Sequence, residues 1–165
     1  MTLQAGHVAK WLEEGEIPPS TGWLLDQLHE FTTSTEENEY VLEHFSPEVT
    51  KILIAYHYLK STLIYHTSEG KVDGLFLWYR CNEKWDWDDI VEWTPDDPHG
   101  NCFFLAFLWA QGAALRRMTL QLIDRQPEVI RSRLFGCRER DDGPKVVEYD
   151  QRLLVKILQS HGRKK

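Results

Sequence analysis

The residues best placed to do chemistry lie between a short strand-like run and a long apolar stretch. Residues 90–93 are predicted to form a strand, and the acidic, glycine-containing loop 96–101 follows them. From Cys102 onward the chain is strongly apolar, and we predict a helix there. The free N–H groups and the dipole of a helix start favour a bound anion. Gly100 and Asn101 are therefore candidate cofactor-binding residues.

Two arginines give a second candidate for anion binding. Arg116 and Arg117 are adjacent in the predicted helical stretch, where they either hold the phosphate of a carrier or form a solvated helix face. The nearby stripe of Leu115, Met118 and Leu122 has helical spacing and is expected to be core.

The cysteines do not predict a metal site. The chain has three of them, far apart in sequence, and none belongs to a CxxC or His-Cys cluster with zinc spacing. We therefore expect neither a bound metal nor a disulfide framework.

Composition predicts one globular domain over residues 1–165. The chain is 42% apolar and 27% charged, which is ordinary for a folded domain of this length. Its net charge of −7 argues against general nucleic-acid binding, which needs a basic face. The longest apolar run, 102–115, falls short of the ~20 residues that span a bilayer. With no signal peptide visible at the N-terminus, we expect a cytoplasmic protein without a membrane span.

The first half of the chain reads as helices and then strands. Ser20 is a candidate cap for a second helix after one at 7–14, and Ser46-Pro47 is a strong start for a third. Residues 61–67 and 72–80 have strand character and are joined by a turn, which predicts a hairpin.

The second half predicts a mixed sheet. We expect 89–94 to lie beside 72–80 inside this sheet, and 128–139 and 144–150 to add two antiparallel strands. Asp150 can then cap a final helix. Antiparallel strands near the end favour an α+β fold over a doubly wound parallel sheet.

Several segments carry a family resemblance: HFSPEVTKILIAY, LIYHTSEGKVDGLFLWY, IVEWTPDDPHGN, and PEVIRSRLF continuing to GPKVVEYDQRLLVKIL. With the order of elements, they make the chain similar to the GNAT superfamily of acyltransferases, and most similar to the toxin-activating lysine acyltransferases. The resemblance implies a GNAT-like mixed central sheet flanked by helices. It also implies a thioester donor, acyl-CoA or acyl carrier protein, and an amine acceptor, a lysine of a protein substrate.

The same resemblance implies two catalytic residues. In that family a catalytic His precedes a helix started by Pro, and His44 stands before Ser46-Pro47. A catalytic Asp precedes a Trp at the end of the central strand, and Glu92 stands before Trp93. His44 would be the general base and Glu92 would orient its ring. The reserve candidates for the base are His29 and His99.

A cysteine protease is one alternative. Cys102 follows Gly-Asn, and the segment HGNCFF resembles the nucleophile segment of papain-like and ovarian-tumour-type proteases. A helix start would lower the pKa of a thiol there. The sole downstream histidine is His161, and burial of Cys102 as a small hydrophobe is the simpler interpretation.

A binding or structural module is the other alternative. The general GNAT cofactor motif is absent from the sequence, since Gln111-Gly112-Ala113 has a different spacing. A GNAT-like scaffold of this kind can bind without catalysing. Its partner would be a protein substrate, a carrier protein, or a second copy of the chain in a homodimer. Five tryptophans suit either an interface or an acyl-chain groove: Trp78, Trp85, Trp87, Trp93 and Trp109.

Overall fold

The computed structural model describes residues 5–34, 45–81, 99–110, 113–141, 143–150 and 152–162. These residues contain five α-helices, a short 3-10 helix and one five-stranded mixed sheet, so the protein has the predicted α+β fold. The chain divides into two compact units, Met1–Leu63 and Ile64–Lys165. The single domain over 1–165 stays a prediction. No helix in the described ranges is long and apolar enough to cross a membrane.

The first unit contains helices α1 (Ala5–Glu14), α2 (Pro19–Ser34) and α3 (Pro47–Lys60). Both α1 and α2 pack against α3. The predicted start of α3 is confirmed, because the Ser46 hydroxyl accepts a hydrogen bond from the backbone N–H of Val49 at 3.2 Å. The predicted cap of α2 is wrong: this helix already begins at Pro19, so Ser20 is helical.

The second unit is built on the sheet. Its elements are β1 (Leu63–Ser68), β2 (Lys71–Cys81), β3 (Cys102–Ala110), α4 (Ala114–Arg125), the 3-10 helix Pro127–Arg131, β4 (Arg133–Arg140), β5 (Gly143–Tyr149) and α5 (Leu153–Gly162). The strands are ordered β1-β2-β3-β4-β5. The β2–β3 and β4–β5 pairs are antiparallel and the β3–β4 pair is parallel, which makes the sheet mixed.

The predicted hairpin of β1 and β2 is confirmed. Glu69 and Gly70 have φ values of 54° and 80°, the left-handed backbone of the two-residue turns that suit the twist of a hairpin. Such a turn places residues that are equally distant from it opposite each other on the two strands.

The largest correction concerns Cys102–Ala110, which we predicted as the start of a helix and which forms strand β3. An unbroken apolar run has no period that separates a buried strand from a buried helix. The structure decides for a strand because β3 pairs with β2 on one side and β4 on the other. The helix starts later, at Ala114, and its buried Met118 and Leu122 confirm the predicted stripe there.

Two further predictions concern the strands of the sheet. Strand β2 is confirmed, while its predicted neighbour 89–94 lies outside the described residues; its described neighbours are β1 and β3. The predicted strand at 128–139 is partly wrong, because residues 127–131 form the 3-10 helix that follows α4 and precedes β4.

Asp150 is confirmed as a cap: its carboxylate accepts from the Arg152 N–H at 2.7 Å.

The core of the second unit lies between the sheet and α4. It is formed by ten buried side chains: Ile64, Phe76, Trp78, Phe103, Ala114, Met118, Leu122, Val129, Leu134 and Leu154. Trp78 is fully buried among them, so it is a core residue and not part of an exposed surface.

Candidate functional site

The two residues predicted to be catalytic fall outside the described parts of the chain. His44 and Glu92 belong to ranges whose structure is not described, and so do Trp85, Trp87 and Trp93. A pairing of His44 with Glu92 therefore stays a prediction from the sequence.

The structure brings together another histidine and carboxylate. His66 on β1 and Asp73 on β2 face each other across the hairpin, with 2.5 Å between Nδ1 and Oδ1. Both side chains are largely buried, at 11% and 19% exposure. A carboxylate on Nδ1 fixes the ring and leaves Nε2 directed away from it, which is the relation found in an acid–base pair.

The outer nitrogen of this pair faces an arginine. Nη1 of Arg117, on α4, lies 3.4 Å from Nε2 of His66. Arginine can only donate, so in this geometry Nε2 accepts and Nδ1 carries the proton that is donated to Asp73.

His66 and Asp73 were not predicted from the sequence, although a signal was present. Each stands three positions from the two-residue turn, His66 before Glu69 and Asp73 after Gly70. A turn of that length places them opposite each other.

A gap opens in the sheet near this pair. The parallel ladder of β3 and β4 runs from Cys102↔Arg133 to Leu105↔Gly136 and stops there. In the described backbone β3 continues to Ala110 and β4 to Arg140 without further pairing between them. Within the described residues, the backbone N–H and C=O groups on the facing sides of the two strands beyond this point do not pair with each other, and an extended molecule can pair with such groups.

Helix α4 begins at the open end of this gap. Gly74 of β2 is opposite Ala110, the last residue of β3, and lies directly under α4. A Cβ at position 74 would be 2.8 Å from the Met118 side chain and 2.9 Å from that of Ala114, so glycine permits the close packing. One end of β2 and β3 therefore contains Asp73, the last residue of β3 and the start of α4.

The first turn of α4 has an unusual charge. Arg116 and Arg117 are both exposed there, and the N-cap residue Ala113 makes no side-chain capping bond. Cations at a helix N-terminus are unfavourable because they oppose the helix dipole. A bound anion would reverse this, since it would satisfy both the arginines and the free N–H groups.

An apolar cavity of about 40 Å³ borders the same part of β3. Leu105 and Leu108 line it from the strand, and the rest of its wall comes from Phe76, α4 and α5. Its one polar side chain, Thr119, donates its hydroxyl to the Leu115 carbonyl within the helix, so the cavity suits an aliphatic group.

The other predicted ligand residues lie elsewhere. Gly100 and Asn101 stand at the end of β2 where β3 begins, near Arg80. Arg80 and Asp73 are seven residues apart on β2, which at about 3.3 Å per residue is roughly 23 Å. The structure thus separates Gly100 and Asn101 from Arg116 and Arg117 by most of the length of the sheet.

Cys102 does not have the environment of a nucleophile. It lies on a strand and is 1% exposed, so the expected helix start is absent. Burial raises the pKa of the Cys102 thiol, against a smaller lowering by Arg133. The structure therefore removes the physical basis of the protease alternative.

The reserve histidines have other surroundings. Nε2 of His29 lies 2.7 Å from the Pro47 carbonyl, a bond that ties α2 to the start of α3. His99 lines the cleft beside Asn101. Among the described residues no group of three or more His, Cys, Asp or Glu side chains is arranged to hold a metal ion.

Comparison with known proteins finds no relative: no family model matches the chain, and neither does any curated protein. The similarity to acyltransferases consequently remains a prediction drawn from the sequence.

Proposed function

We propose that this protein is an acyltransferase that moves an acyl group from a thioester donor, CoA or acyl carrier protein, to an amine, in particular a lysine of a protein. The observation that carries the proposal is the separation of β3 from β4 beyond Leu105↔Gly136, next to the start of α4. This part of the protein has backbone groups for hydrogen bonding, two arginines and an apolar cavity. A thioester donor that carries a phosphate needs all three.

The donor arm fits the gap by its chemistry. The arm of CoA and of carrier proteins is extended and contains amide groups, which can hydrogen-bond to the unpaired N–H and C=O groups of β3 and β4. Its phosphate would lie at the α4 N-terminus beside Arg116. The acyl end would lie against the apolar cavity at Leu105 and Leu108.

The acid–base step has a candidate in the neighbouring His–Asp pair. Asp73 precedes Gly74, whose partner on β3 is Ala110. Adjacent strands are about 4.8 Å apart, so Asp73 on β2 is one strand spacing from β3 and His66 on β1 is two, and the gap lies on the far side of β3. His66 would take a proton from the acceptor amine as its nitrogen attacks the thioester carbon. The carbon–sulfur bond then breaks, and the thiolate leaves and is protonated.

His44 and Glu92 remain the rival pair from the sequence. Either pair would catalyse the same reaction, but the two assignments predict different effects of single substitutions. His44→Ala would abolish turnover if His44 is the base, and His66→Ala would do so if His66 is.

The proposal is tested with the full chain, radiolabelled acyl-CoA or acyl carrier protein, and a lysine-containing peptide. We expect label on the peptide in a bond that resists hydroxylamine, as an amide does and a thioester does not. No transfer from either donor class, at chain lengths from acetyl to long aliphatic, would contradict it. Binding of CoA without transfer would make the protein a binding module instead.

A further inference from the structure

The second unit has a cleft at the opposite end of β2 that the proposed reaction does not use. Its volume is about 620 Å³, within the range of small-molecule sites. Eight of the described residues line it: Arg80, His99, Asn101, Pro127, Glu128, Ile130, Arg131 and Ser132. They come from the end of β2, the residues that precede β3, and the 3-10 helix with the residue after it.

Arg80 is fixed at the base of this cleft. Its side chain is 13% exposed, and its guanidinium lies over the Phe103 ring at 4.9 Å. Nε and Nη2 both donate to the Gly100 carbonyl, at 3.0 and 2.7 Å. Gly100 makes this possible, because a Cβ there would lie 2.4 Å from the Cys81 carbonyl oxygen. The guanidinium is therefore held in one orientation before any ligand arrives.

The described partners of Arg80 do not use all of its N–H groups. Nη1 donates to Gln126 Oε1 at 3.3 Å, and the nearest carboxylate oxygen, Glu128 Oε1, is 4.0 Å away. These bonds use three of the five N–H groups of an arginine, and 4.0 Å is too long for a fourth. Within the described residues, two N–H groups of a largely buried cation thus have no acceptor.

The remaining polar groups of the cleft are mostly donors. Arg131 is exposed beside Arg80, and Asn101 uses its carbonyl oxygen to accept from Cys102 Sγ at 3.4 Å, which leaves its amide N–H groups for a ligand. Among the described residues that line the cleft, Glu128 is the one carboxylate, against two arginines. These residues therefore carry a net positive charge in a chain whose net charge is −7.

We propose that this cleft binds a small organic anion through a carboxylate or phosphate head group, held by Arg80, Arg131 and Asn101. The planar fork of arginine matches two oxygens of either group. Ile130 lines the same cleft and is 46% exposed, so it offers apolar contact to the rest of the ligand. The site is independent of the proposed acyl transfer, since it lies roughly 23 Å from Asp73 along β2.

The test is isothermal titration calorimetry of the full chain with three probes: inorganic phosphate, phenyl phosphate and hexanoate. We expect phenyl phosphate or hexanoate to bind more tightly than inorganic phosphate, and whichever is tighter identifies the head group. Arg131→Gln should weaken that binding about tenfold, which corresponds to the loss of one charge-assisted hydrogen bond.

Two further variants keep the test decisive. Arg152→Gln removes an exposed arginine at the start of α5 and should leave the dissociation constant within about twofold. Arg80→Lys keeps the charge but loses the fork, and should weaken binding even where the fold is unchanged. If none of the probes binds at millimolar concentration, or if Arg131→Gln and Arg152→Gln have equal effects, the proposal is wrong.

Discussion

Nδ1 of His66 lies 2.5 Å from Oδ1 of Asp73, across the two strands that Glu69 and Gly70 join. The contact depends on a two-residue turn, since one residue more or fewer would move the two side chains to opposite faces of the hairpin. The position of the His–Asp pair is thus set by local geometry.

His66→Ala should lower the rate of acyl transfer by about 10²- to 10⁴-fold, the usual effect of removing a general base. Loss of its hydrogen bond to Asp73 should also cost about 1 kcal/mol of unfolding free energy. Steady-state kinetics and urea unfolding measure the two effects separately. His7→Ala, at an exposed position, is the matched control. A wild-type rate in a folded His66→Ala protein would return the assignment to His44.

Arg116→Gln should raise the KM for acyl-CoA about tenfold, because it removes one cation from the proposed phosphate position at the start of α4. The KM for an S-acyl pantetheine, which has no phosphate, should be unchanged. The comparison isolates the phosphate contact from any general effect on the enzyme. Equal changes for both donors would show that Arg116 does not contact phosphate.

Gly100→Ala should destabilise the second unit by about 1–3 kcal/mol, since the new Cβ would overlap the backbone of Cys81 and displace the carbonyl that Arg80 binds. Gly6→Ala is the control: position 6 has open space around it and lies in α1, so this change should be neutral or stabilising by up to about 1 kcal/mol. Urea unfolding, followed by probes in each unit, measures both.

Cys102 should resist alkylation in the native protein, because it is buried and its burial raises the pKa of the thiol. Iodoacetamide followed by peptide mapping should show labelling of Cys102 in urea and very little in buffer at pH 7 to 8. Cys102→Ser should keep the fold and any activity. Fast native labelling with loss of function would restore the protease alternative.

Asp150 should make stability depend on acid pH. Its carboxylate accepts from the Arg152 N–H and lies near Lys156, and the pKa of Asp150 is lowered for these reasons, in that order. A depressed folded-state pKa gives a contribution that is present above the unfolded pKa of about 4 and is lost as pH falls through the folded value. Asp150→Asn should therefore destabilise at pH 7 and have a shrinking effect toward pH 2.

Asp141→Asn is the control for that series. Asp141 is exposed in the turn before β5, so Asp141→Asn removes one surface carboxylate and leaves the hydrogen bond that the Arg152 N–H donates to Asp150 in place. Thermal unfolding at several pH values compares the two variants. The prediction is contradicted if the effect of Asp150→Asn is the same at every pH.

The fold class followed from the sequence because most of its signals are local. Ser46-Pro47, the hairpin turn and the Asp150 cap each act over three or four residues, and all three are confirmed. Strand β3 was missed because pairing with β2 and β4, which are distant in sequence, decides its conformation. The residue propensities of Cys102–Ala110 alone do not show this pairing.

The candidate site was harder to predict for the same reason. His66 and Asp73 were within reach of turn geometry, but the contact of His66 with Arg117 joins elements 51 residues apart. The ladder between β3 and β4 ends at Leu105, where the register of β2 and β3 also shifts, so the separation depends on pairing between strands that are distant in sequence. Arg80 and Gly100 meet only because β2 and β3 are antiparallel and in register.

The second half of β3 has a consequence for the protein in concentrated solution. From Ala106 to Ala110 this central strand pairs with β2 on one side, and among the described residues its other side has no partner strand. Natural proteins shield such edges, because open edges invite pairing between molecules and hence aggregation. A molecule that fills the gap would close the edge. Solubility should therefore rise as more of the protein has the gap filled. The proposed thioester donor would then reduce aggregation as well as supply the acyl group.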